Sequence, residues 1–558
     1  MRFIIFILSF LLFQTNTYSN TPESNKFNQK YLSDYFSALI SSKNQNNDDA
    51  LKFFNSSKFL IKKHDNFLKE YVFSLVLDGQ VKKAINQIKI SKNEKNSNFF
   101  EANLLLTIDS FKKKDFKQVS KRLKELDISK DDGTYEFVIF KILENYNHLF
   151  IEKKIKKQEN DFGNLNLINS SFQNCYINSN RTPTYFTNLI NDSNNDYSRY
   201  LFFYFSHLVQ NKEFSKAKDI SKSIVPLTDT LLISQSKEWI ENEKFEKFEK
   251  YFSCYNETDI LSEFFFLISN LFSSQEIYEQ SNFYLRISEY LNKKFYFNLS
   301  LLAENYYLND NFKYSKIILD KFKNKDDVYN WYRIKKIGKI LSESGKEDES
   351  LEFTEKNFKL INKPSVKTLY DMANIYRSFK KYDKAIKNYS ELLTKVEQDS
   401  YAYSRILYRR GSCFERLGNY ENADNDLLKS LKINPDAPYA MNYLAYSWLE
   451  RNYKINEAMD MLKEAYKKKS NDPYIADSVG WGYYLVGDYI NAEKYLKKAL
   501  LLMPSDPIVN DHYGDVLWQL NRKLQAKYFW ENVLELEETE DEMKKNIKKK
   551  LLNGPKKT

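Results

Sequence analysis

Small residues recur at a nearly fixed interval through the second half of the chain, and this recurrence constrains its fold most. One series is spaced by 35, 35, 38, 35, 34 and 34 residues: Ser315, Ser350, Ala385, Ala423, Ala458, Ala492 and Ala526. A second series lies 12 or 13 residues earlier in each repeat: Ala303, Gly338, Ala373, Gly411, Ala445, Gly480 and Gly514. Two antiparallel helices can cross closely only where both carry a small side chain. The period therefore predicts an array of helix pairs.

Bulky residues follow the small ones at helical spacing. The bulky residues that lie three positions after a member of the second series are Tyr306, Tyr376, Phe414, Trp448, Tyr483 and Leu517. Those four positions after the first series are Leu319, Tyr389, Leu427, Leu462, Leu496 and Trp530. Offsets of three and four place small and bulky side chains on one helix face. Gly418 and Gly487 mark turns within a pair, and Pro435 and Pro507 mark turns between pairs.

This pattern resembles the tetratricopeptide repeat (TPR). The match is strong over 366–540, fair over 265–363 and weak upstream, where Ala50, Ala84 and Val119 keep the period. The resemblance implies an all-α fold, a TPR-type α-solenoid of stacked antiparallel helix pairs forming a superhelix. In such an array each pair is expected to contact only its neighbours.

Six segments are predicted along the chain. They are a signal peptide (1–19), divergent TPR-like repeats (20–157), an irregular Asn/Ser-rich insertion (158–197), degenerate repeats (198–365), well-matched repeats (366–540) and a basic capping helix and tail (541–558). An alternative for 158–197 is a pair of repeats eroded past recognition. The basic end contains Lys544, Lys545, Lys548, Lys549, Lys550, Lys556 and Lys557.

The N-terminus has the pattern of an export signal. Met1 and Arg2 precede an apolar run of 11 residues, and Thr17 and Ser19 form a T-x-S cleavage site. Such a run is too short to cross a bilayer core of about 30 Å as a helix. We expect cleavage between Ser19 and Asn20, release into the periplasm and no membrane span in the mature chain. A lipoprotein cysteine is not found after the apolar run.

The residue types that usually carry chemistry are sparse. Cys175, Cys254 and Cys413 lie far apart and form no C-x-x-C pair, so we expect neither a disulfide framework nor a zinc site. The four histidines occur in no metal-binding motif, and phosphate loops and nucleophile elbows are absent from the sequence. His512 lies between Asp511 and Asp515, where we expect a groove-lining or helix-bonding role. The sequence therefore predicts neither an enzyme nor a cofactor.

The last two repeats resemble an exported TPR family of proteobacteria more specifically. The resemblance rests on the segments 477–481 and 510–518, followed by Ala526 and Trp530. Some relatives in that family are lipoproteins that act as adaptors for a periplasmic carboxyl-terminal processing protease. This chain lacks their lipid-bearing cysteine.

In a TPR array the first helix of each pair lines the concave groove, so first-helix residues are candidates for partner binding. The predicted groove residues are Asn442, Tyr443, Tyr446, Tyr474, Asp477, Trp481, Tyr484, Asp511, Asp515 and Trp518. Exposed aromatic residues among acids are typical of a protein-binding hot spot. Packing of Trp481 and Trp518 against a neighbouring repeat is the alternative.

The sequence thus predicts a periplasmic scaffold or adaptor that binds a partner protein, with a basic or extended peptide favoured. Alternatives are an adaptor for a periplasmic protease or a cell-envelope assembly complex, a helical-repeat RNA binder, and an enzyme with an unrecognised site. The net charge of +10, from 85 basic and 75 acidic residues, is mild for 558 residues. A nucleic-acid partner is not expected, because the excess charge forms no stripe.

Overall fold

The computed structural model describes residues 29–555, apart from 92–94, 127–132, 158–159, 193–197, 228–229, 324 and 538. The predicted signal peptide and the last two lysines of the basic tail lie outside the described residues. The chain divides into two compact units. Unit 1 contains residues 1–214 and 243–322, and unit 2 contains 215–242 and 323–558.

Every regular element among the described residues is helical. Unit 1 begins with α1 (Gln29–Lys43), α2 (Asn47–Ser56), α3 (Phe67–Leu77), α4 (Val81–Ile90), α5 (Phe100–Lys112), α6 (Phe116–Glu125), α7 (Tyr135–Glu152), α8 (Asn164–Tyr176), α9 (Thr182–Ile190) and α10 (Tyr200–Gln210). Next come α11 (Phe214–Lys222), which begins at the last residue of this part of unit 1, and α12 (Leu231–Glu241) of unit 2. The chain returns to unit 1 for α13 (Glu246–Tyr251), α14 (Glu257–Ser274), α15 (Tyr278–Leu291), α16 (Asn298–Leu308) and α17 (Phe312–Asp320).

The rest of unit 2 follows as consecutive helix pairs and one final helix. These are α18 (Asp327–Glu343), α19 (Glu347–Phe358), α20 (Val366–Ser378), α21 (Tyr382–Leu393), α22 (Tyr401–Arg416), α23 (Tyr420–Ile433), α24 (Pro438–Glu450), α25 (Ile455–Lys468), α26 (Pro473–Leu485), α27 (Tyr489–Leu502), α28 (Pro507–Gln519), α29 (Lys523–Glu535) and α30 (Asp541–Asn553). Among the described residues, the predicted all-α fold of antiparallel helix pairs is confirmed.

The small residues lie where the helices of a pair cross. A Cβ atom added at Gly480 would lie 2.6 Å from Cγ of Leu496 and 3.2 Å from the carbonyl oxygen of Ala492. A Cβ atom at Gly411 would lie 3.0 Å from Cγ of Leu427. The crossing therefore leaves no room for a side chain at the predicted position.

In the degenerate repeats, serine replaces alanine and adds a hydrogen bond across the crossing. The hydroxyl of Ser315 donates to the carbonyl of Ala303 at 2.9 Å, and that of Ser350 donates to the carbonyl of Gly338 at 2.7 Å. Ser281 donates to the carbonyl of Ser269 in the same way at 2.8 Å. The two series of small residues, which we call the small-residue ladder, thus extend one helix pair further upstream, to α14 and α15.

The repeat boundaries are fixed by capping. Pro473 and Pro507 stand at the first positions of α26 and α28, where proline is compatible with the helix. The carboxylates of Asp472 and Asp506 accept hydrogen bonds from backbone amides of the first turns. Gly487 has a φ of +82° in the turn before α27 and so permits the tight reversal.

The segment 158–197 corrects one expectation. It contains α8 and α9, which pack against each other, so it is not wholly irregular. The alternative of eroded repeats agrees better with this arrangement. Polar side chains inside α8 serve as local partners: Asn174 donates to the carbonyl of Ser170 at 2.8 Å, and Asn169 accepts from Tyr146 at 2.7 Å.

Unit 1 corrects the expectation that each pair contacts only its neighbours. Helix α3 packs on α15, more than 200 residues later in the chain. Arg286 Nε donates to the carbonyl of Leu77 at 2.9 Å, and the rings of Phe73 and Phe283 stack with centroids 4.7 Å apart. The early helices therefore fold against the later helices of the same unit.

None of the helices in the described part of the chain combines the length and apolarity needed to cross a membrane.

Candidate partner-binding face

The predicted groove residues lie on α24, α26 and α28, the first helices of the last three pairs. Together with α22 these form what we call the first-helix face. Tyr474 is 60% exposed at the start of α26. Asn442, Tyr443 and Tyr446 on α24 are half-buried. The face thus presents aromatic rings that remain partly accessible.

Three aromatic rings are stacked across α26 and α28. The Trp481 ring lies 4.6 Å from Tyr484 and 4.0 Å from His512, with interplanar angles of 11° and 13°. The Trp481 indole Nε1 donates to Glu450 at 2.5 Å. Trp481 is therefore held on both ring faces and at its nitrogen, as the alternative of packing against a neighbouring repeat expected.

His512 and Asp477 join consecutive first helices. His512 Nδ1 lies 3.0 and 3.1 Å from the two carboxylate oxygens of Asp477, and both side chains are buried. Burial alone would lower the pKa of His512, but Asp477 and two further aspartates raise it. A cationic imidazole is thus favoured between the helices.

Carboxylate groups of α22 and α24 lie near the tyrosine rings of α24. The Tyr443 hydroxyl donates to Glu415 at 2.7 Å, and burial followed by this carboxylate raises the pKa of Tyr443. Burial likewise raises the pKa of Tyr446, with further contributions from Glu450 and Asp477. The nearby Arg416 acts in the opposite direction. The aromatic surface therefore lies in a mainly negative field.

The structure corrects the expected exposure of three candidates. Tyr484 is 1% exposed, Asp515 is 3% exposed and Asp477 is 7% exposed. The Trp481 ring covers Tyr484, and Gln519 donates to its hydroxyl at 3.4 Å. Burial raises the pKa of Tyr484 to about 12. The position of a residue within the repeat predicts which face of its helix it occupies. It does not predict whether the next helix covers that face.

Helix α30 covers the end of the face. Lys550 Nζ lies 2.6 Å from Asp511 and 2.8 Å from Asp515, while Trp530 Nε1 donates to Asp515 at 3.2 Å. Burial raises the pKa of Asp515 to about 6, a shift that Asp511 increases and Lys550 opposes. These two aspartates are thus engaged by the chain itself.

Trp518 is covered by the same end of the chain. Gly554 follows α30 with a φ of +77°, and a Cβ atom there would lie 2.5 Å from Cε2 of Trp518. Trp518 therefore lies against Trp530 of its own helix pair and the end of the chain, and not against a neighbouring repeat as the alternative expected. Partner binding by the ten candidates stays a prediction, and the accessible part of the face centres on α24 and α26.

A cluster of cysteines and a histidine lies in unit 1, outside this face. Cys175 and Cys254 form a disulfide with their Cα atoms 5.9 Å apart. His207 Nδ1 lies 3.5 Å from the sulfur of Cys175. The expectation that the cysteines form no disulfide is wrong, because residues 79 positions apart meet only in the folded chain. No local spacing motif could have revealed the pair.

The sequence comparisons identify repeats in unit 2, over helices α20 to α23 and directly before α24. A family model described as "Tetratricopeptide repeat" matches residues 366–394 and 404–437. The TPR repeat-containing protein PA4667 of Pseudomonas aeruginosa is 34% identical over 110 residues, which is 20% of this chain and 18% of that protein. The human aspartyl/asparaginyl beta-hydroxylase is 24% identical over 189 residues, which is 31% of this chain and 24% of the hydroxylase. The chain thus spans less than a quarter of the length of these curated relatives.

Solved TPR structures are also similar to parts of the chain. A tetratricopeptide repeat protein from Parabacteroides merdae has a TM-score of 0.39 and 18% identity, covering 46% of this chain and 99% of that chain. A thermophilic TPR protein from Thermus thermophilus has a TM-score of 0.31 and 19% identity, covering 34% of this chain and all of that chain.

Proposed function

We propose, from the premise that this chain is a tetratricopeptide-repeat protein, that it is a scaffold or adaptor of the periplasm. Its TPR character supports protein binding in general. The proposed site is the accessible part of the first-helix face on α24 and α26. The proposed partner is a protein with a basic or extended segment.

The observation that carries this proposal is the combination of accessible tyrosines and carboxylates on two adjacent first helices. Tyr474 is exposed and Tyr446 is half-buried. Large rings supply much contact area with few rotatable bonds, and for this reason tyrosine is common at binding hot spots.

The charge of the face supports a basic partner. Glu450 and Glu415 act on Tyr446 as negative charges, whereas Arg416 acts on the same ring in the opposite direction. Complementary charge speeds encounter and disfavours acidic partners. Lysine or arginine side chains can also lie over tyrosine rings. An acidic segment would meet like charge here.

Export is the second part of the proposal and rests on the N-terminal sequence. The short basic start, apolar run and T-x-S site are typical of a signal peptide. Intact-mass measurement of the protein from a periplasmic fraction should give a chain that begins near Asn20. A full-length chain confined to the cytoplasm would falsify this part.

Site-specific photo-crosslinking in cells tests the binding face. A photoreactive phenylalanine analogue replaces Tyr474 on α26 in one variant and Tyr528 on α29 in its matched control. Both tyrosines are well exposed, at 60% and 66%, but Tyr528 lies on a second helix. We expect a discrete adduct from position 474 and none from position 528. Mass spectrometry of the adduct then identifies the partner.

The opposite pattern would contradict the proposed face. An adduct from position 528 alone would place the partner on the second helices. With the partner in hand, binding at increasing salt tests the charge argument, because screening weakens contacts between exposed charges. We expect the dissociation constant to rise with salt. A dissociation constant that does not change with salt would contradict binding through a basic segment.

A further inference from the structure

Unit 1 contains a buried cross-link between its two chain segments, 1–214 and 243–322. Cys175 lies in the last turn of α8, and Cys254 lies in the segment between α13 and α14. Residues 215–242, between the two cysteines, belong to unit 2. The cross-link therefore joins the part of unit 1 before this excursion to the part after it.

The cross-link is closed to solvent and lies beside His207. Cys175, Cys254 and His207 are 0%, 2% and 3% exposed. The ring of Phe203 lies 4.6 Å from Phe252 and 5.0 Å from Phe172. Thiol–disulfide exchange requires a thiolate to reach one of the sulfurs. In the folded protein this disulfide is shielded from exchange with other thiols.

The same region lacks the small-residue ladder that aligns the later pairs. Its helices meet through large aromatic side chains, as in the stack of Phe202 on Phe295 at 5.4 Å. The segment that begins at residue 243 must also find its place in unit 1 after residues 215–242 have contributed to unit 2. A disulfide restricts the unfolded chain, and its effect grows with the length of the closed loop.

We propose that Cys175–Cys254 is a permanent structural clamp that fixes the returning chain to unit 1. It forms when the two thiols lose two protons and two electrons and a sulfur–sulfur bond is made. The electrons pass to a disulfide oxidant, whose own sulfur–sulfur bond is reduced to two thiols. The supply of this oxidant in the cell rests on the proposed export, since such bonds persist in oxidising compartments.

The competing use of this cluster is metal binding by the reduced thiols. The ligand atoms of Cys175, His207 and Cys254 lie within 4.8 Å of one another, and two thiolates with an imidazole would suit a thiophilic ion such as Zn²⁺. Oxidation and metal binding exclude each other, because the disulfide consumes both thiolates. The oxidation state of the cysteines therefore decides between the two uses.

Cys413 serves as the internal control. It is a free cysteine, buried in α22 of unit 2. Burial raises the pKa of its thiol to about 11, which keeps the thiol protonated and unreactive at neutral pH. Oxidation of the cluster should leave this cysteine unchanged.

Alkylation of the purified full chain, denatured without reductant, tests the clamp directly. Peptide mass spectrometry should find the peptides of Cys175 and Cys254 joined and Cys413 alkylated. Three alkylated cysteines in exported protein would overturn the proposal while leaving export intact. Stoichiometric zinc in that protein, lost on Cys254→Ser, would establish the metal site instead.

Thermal unfolding of cysteine variants tests the structural role. Cys175→Ser, Cys254→Ser and the double variant should lower the Tm by similar amounts, roughly 7 °C for a closed loop of about 80 residues in a unit of about 290 residues. Cys413→Ser is the matched control in unit 2. Hydrogen exchange should rise in α8, α10 and α14 but not in α22. An unchanged Tm in the double variant would refute the clamp.

The test also separates failure of the clamp from failure of export. If the chain stays in the cytoplasm, reduced protein can be oxidised with oxidised glutathione. The clamp then predicts a joined 175–254 peptide and a higher Tm after oxidation. Oxidation without any rise in Tm would reject the clamp whatever the location of the chain.

Discussion

The two units use helix pairs in different ways. In unit 2, the pairs from α18 to α29 follow one another, and each packs mainly on the pairs before and after it. In unit 1, α3 also packs on α15, and the Tyr314 hydroxyl accepts from the amide of Asp48 at 3.0 Å. The same kind of building block thus gives a linear stack in one region and a cross-connected one in the other. Local coupling is expected in unit 2 and long-range coupling in unit 1.

This difference also bears on function. The first helices of unit 2 keep accessible rings such as Tyr474, whereas Arg286 of unit 1, at 7% exposure, is used for an internal contact with the Leu77 carbonyl. A linear stack leaves one face of its first helices available, as extended binding surfaces require. We therefore propose that the partner binds unit 2, and we expect unit 1 to contribute mainly stability.

Among the substitutions that compare the two units, Gly480→Leu in unit 2 should lower the free energy of unfolding most. Even a Cβ atom would lie 2.6 Å from Leu496 Cγ and 3.0 Å from its backbone nitrogen, so the pair α26–α27 must separate. Overpacking typically lowers the free energy of unfolding by about 1–3 kcal/mol, and this position should reach about 3 kcal/mol or more. Hydrogen exchange should rise in α26 to α29 and stay unchanged in unit 1.

Gly411→Ala is the graded comparison. Its Cβ atom would meet Leu427 Cγ at 3.0 Å, so a smaller loss is expected. A single cooperative unfolding of the whole chain in both variants would contradict local coupling in unit 2.

Arg286→Met in unit 1 should lower the free energy of unfolding less, but it should affect helices that are distant in sequence. The substitution removes the hydrogen bond to Leu77 and the ion pair with Glu289 at 2.8 Å. Loss of such charged hydrogen bonds should lower the free energy of unfolding by about 2 kcal/mol. Exchange should rise in α3 and α4 as well as in α15.

Arg286→Lys keeps the positive charge without the planar fork and should recover only part of the loss. Faster exchange confined to α15 and its sequence neighbours would show that unit 1 is coupled locally after all.

Lys550→Met should lower the free energy of unfolding by a similar or smaller amount, and the size of this loss should depend on pH. Lys550 offsets the buried carboxylate of Asp515, whose pKa is raised to about 6. A raised carboxyl pKa means that ionisation opposes folding, so this contribution is favourable at low pH and is lost as the pH rises through 6. Without Lys550 the pKa should rise further.

Chemical denaturation should therefore show a small loss for Lys550→Met at pH 4 and about 2 kcal/mol at pH 8. Lys549→Met is the matched control, because Lys549 is exposed on the same helix. A loss that is equal at both pH values, or equal in the control, would remove the ion pair from the account.

The repeat core could be predicted from sequence because it depends on backbone approach. Gly480 and Ala492 must be small wherever two helices cross, so their spacing reveals the pair without knowledge of anything else. The same rule explains why Ser315 and Ser350 were recognised, since serine is small and can donate across the crossing.

The parts that could not be predicted depend on residues outside one repeat. Asp515 is predicted to line the groove, but it is buried and paired with Lys550, which lies on a helix beyond the repeats. Cys175 and Cys254 meet across 79 residues, and Arg286 reaches Leu77 across 209. Periodicity contains no information about such contacts. Helices α8 and α9 were missed because they carry no ladder.

The most direct test of the account is the affinity of the isolated partner for single tyrosine variants. Tyr446→Ala and Tyr474→Ala remove rings from the accessible face, while Tyr528→Ala removes an equally exposed ring from a second helix. A hot-spot residue contributes about 2 kcal/mol on truncation, or roughly thirtyfold in Kd. We predict that at least one of the first two variants weakens binding by this order, with unchanged circular dichroism, and that Tyr528→Ala stays within about twofold. Strong weakening by Tyr528→Ala with full affinity in the other two variants would contradict a partner-binding face on α24 and α26.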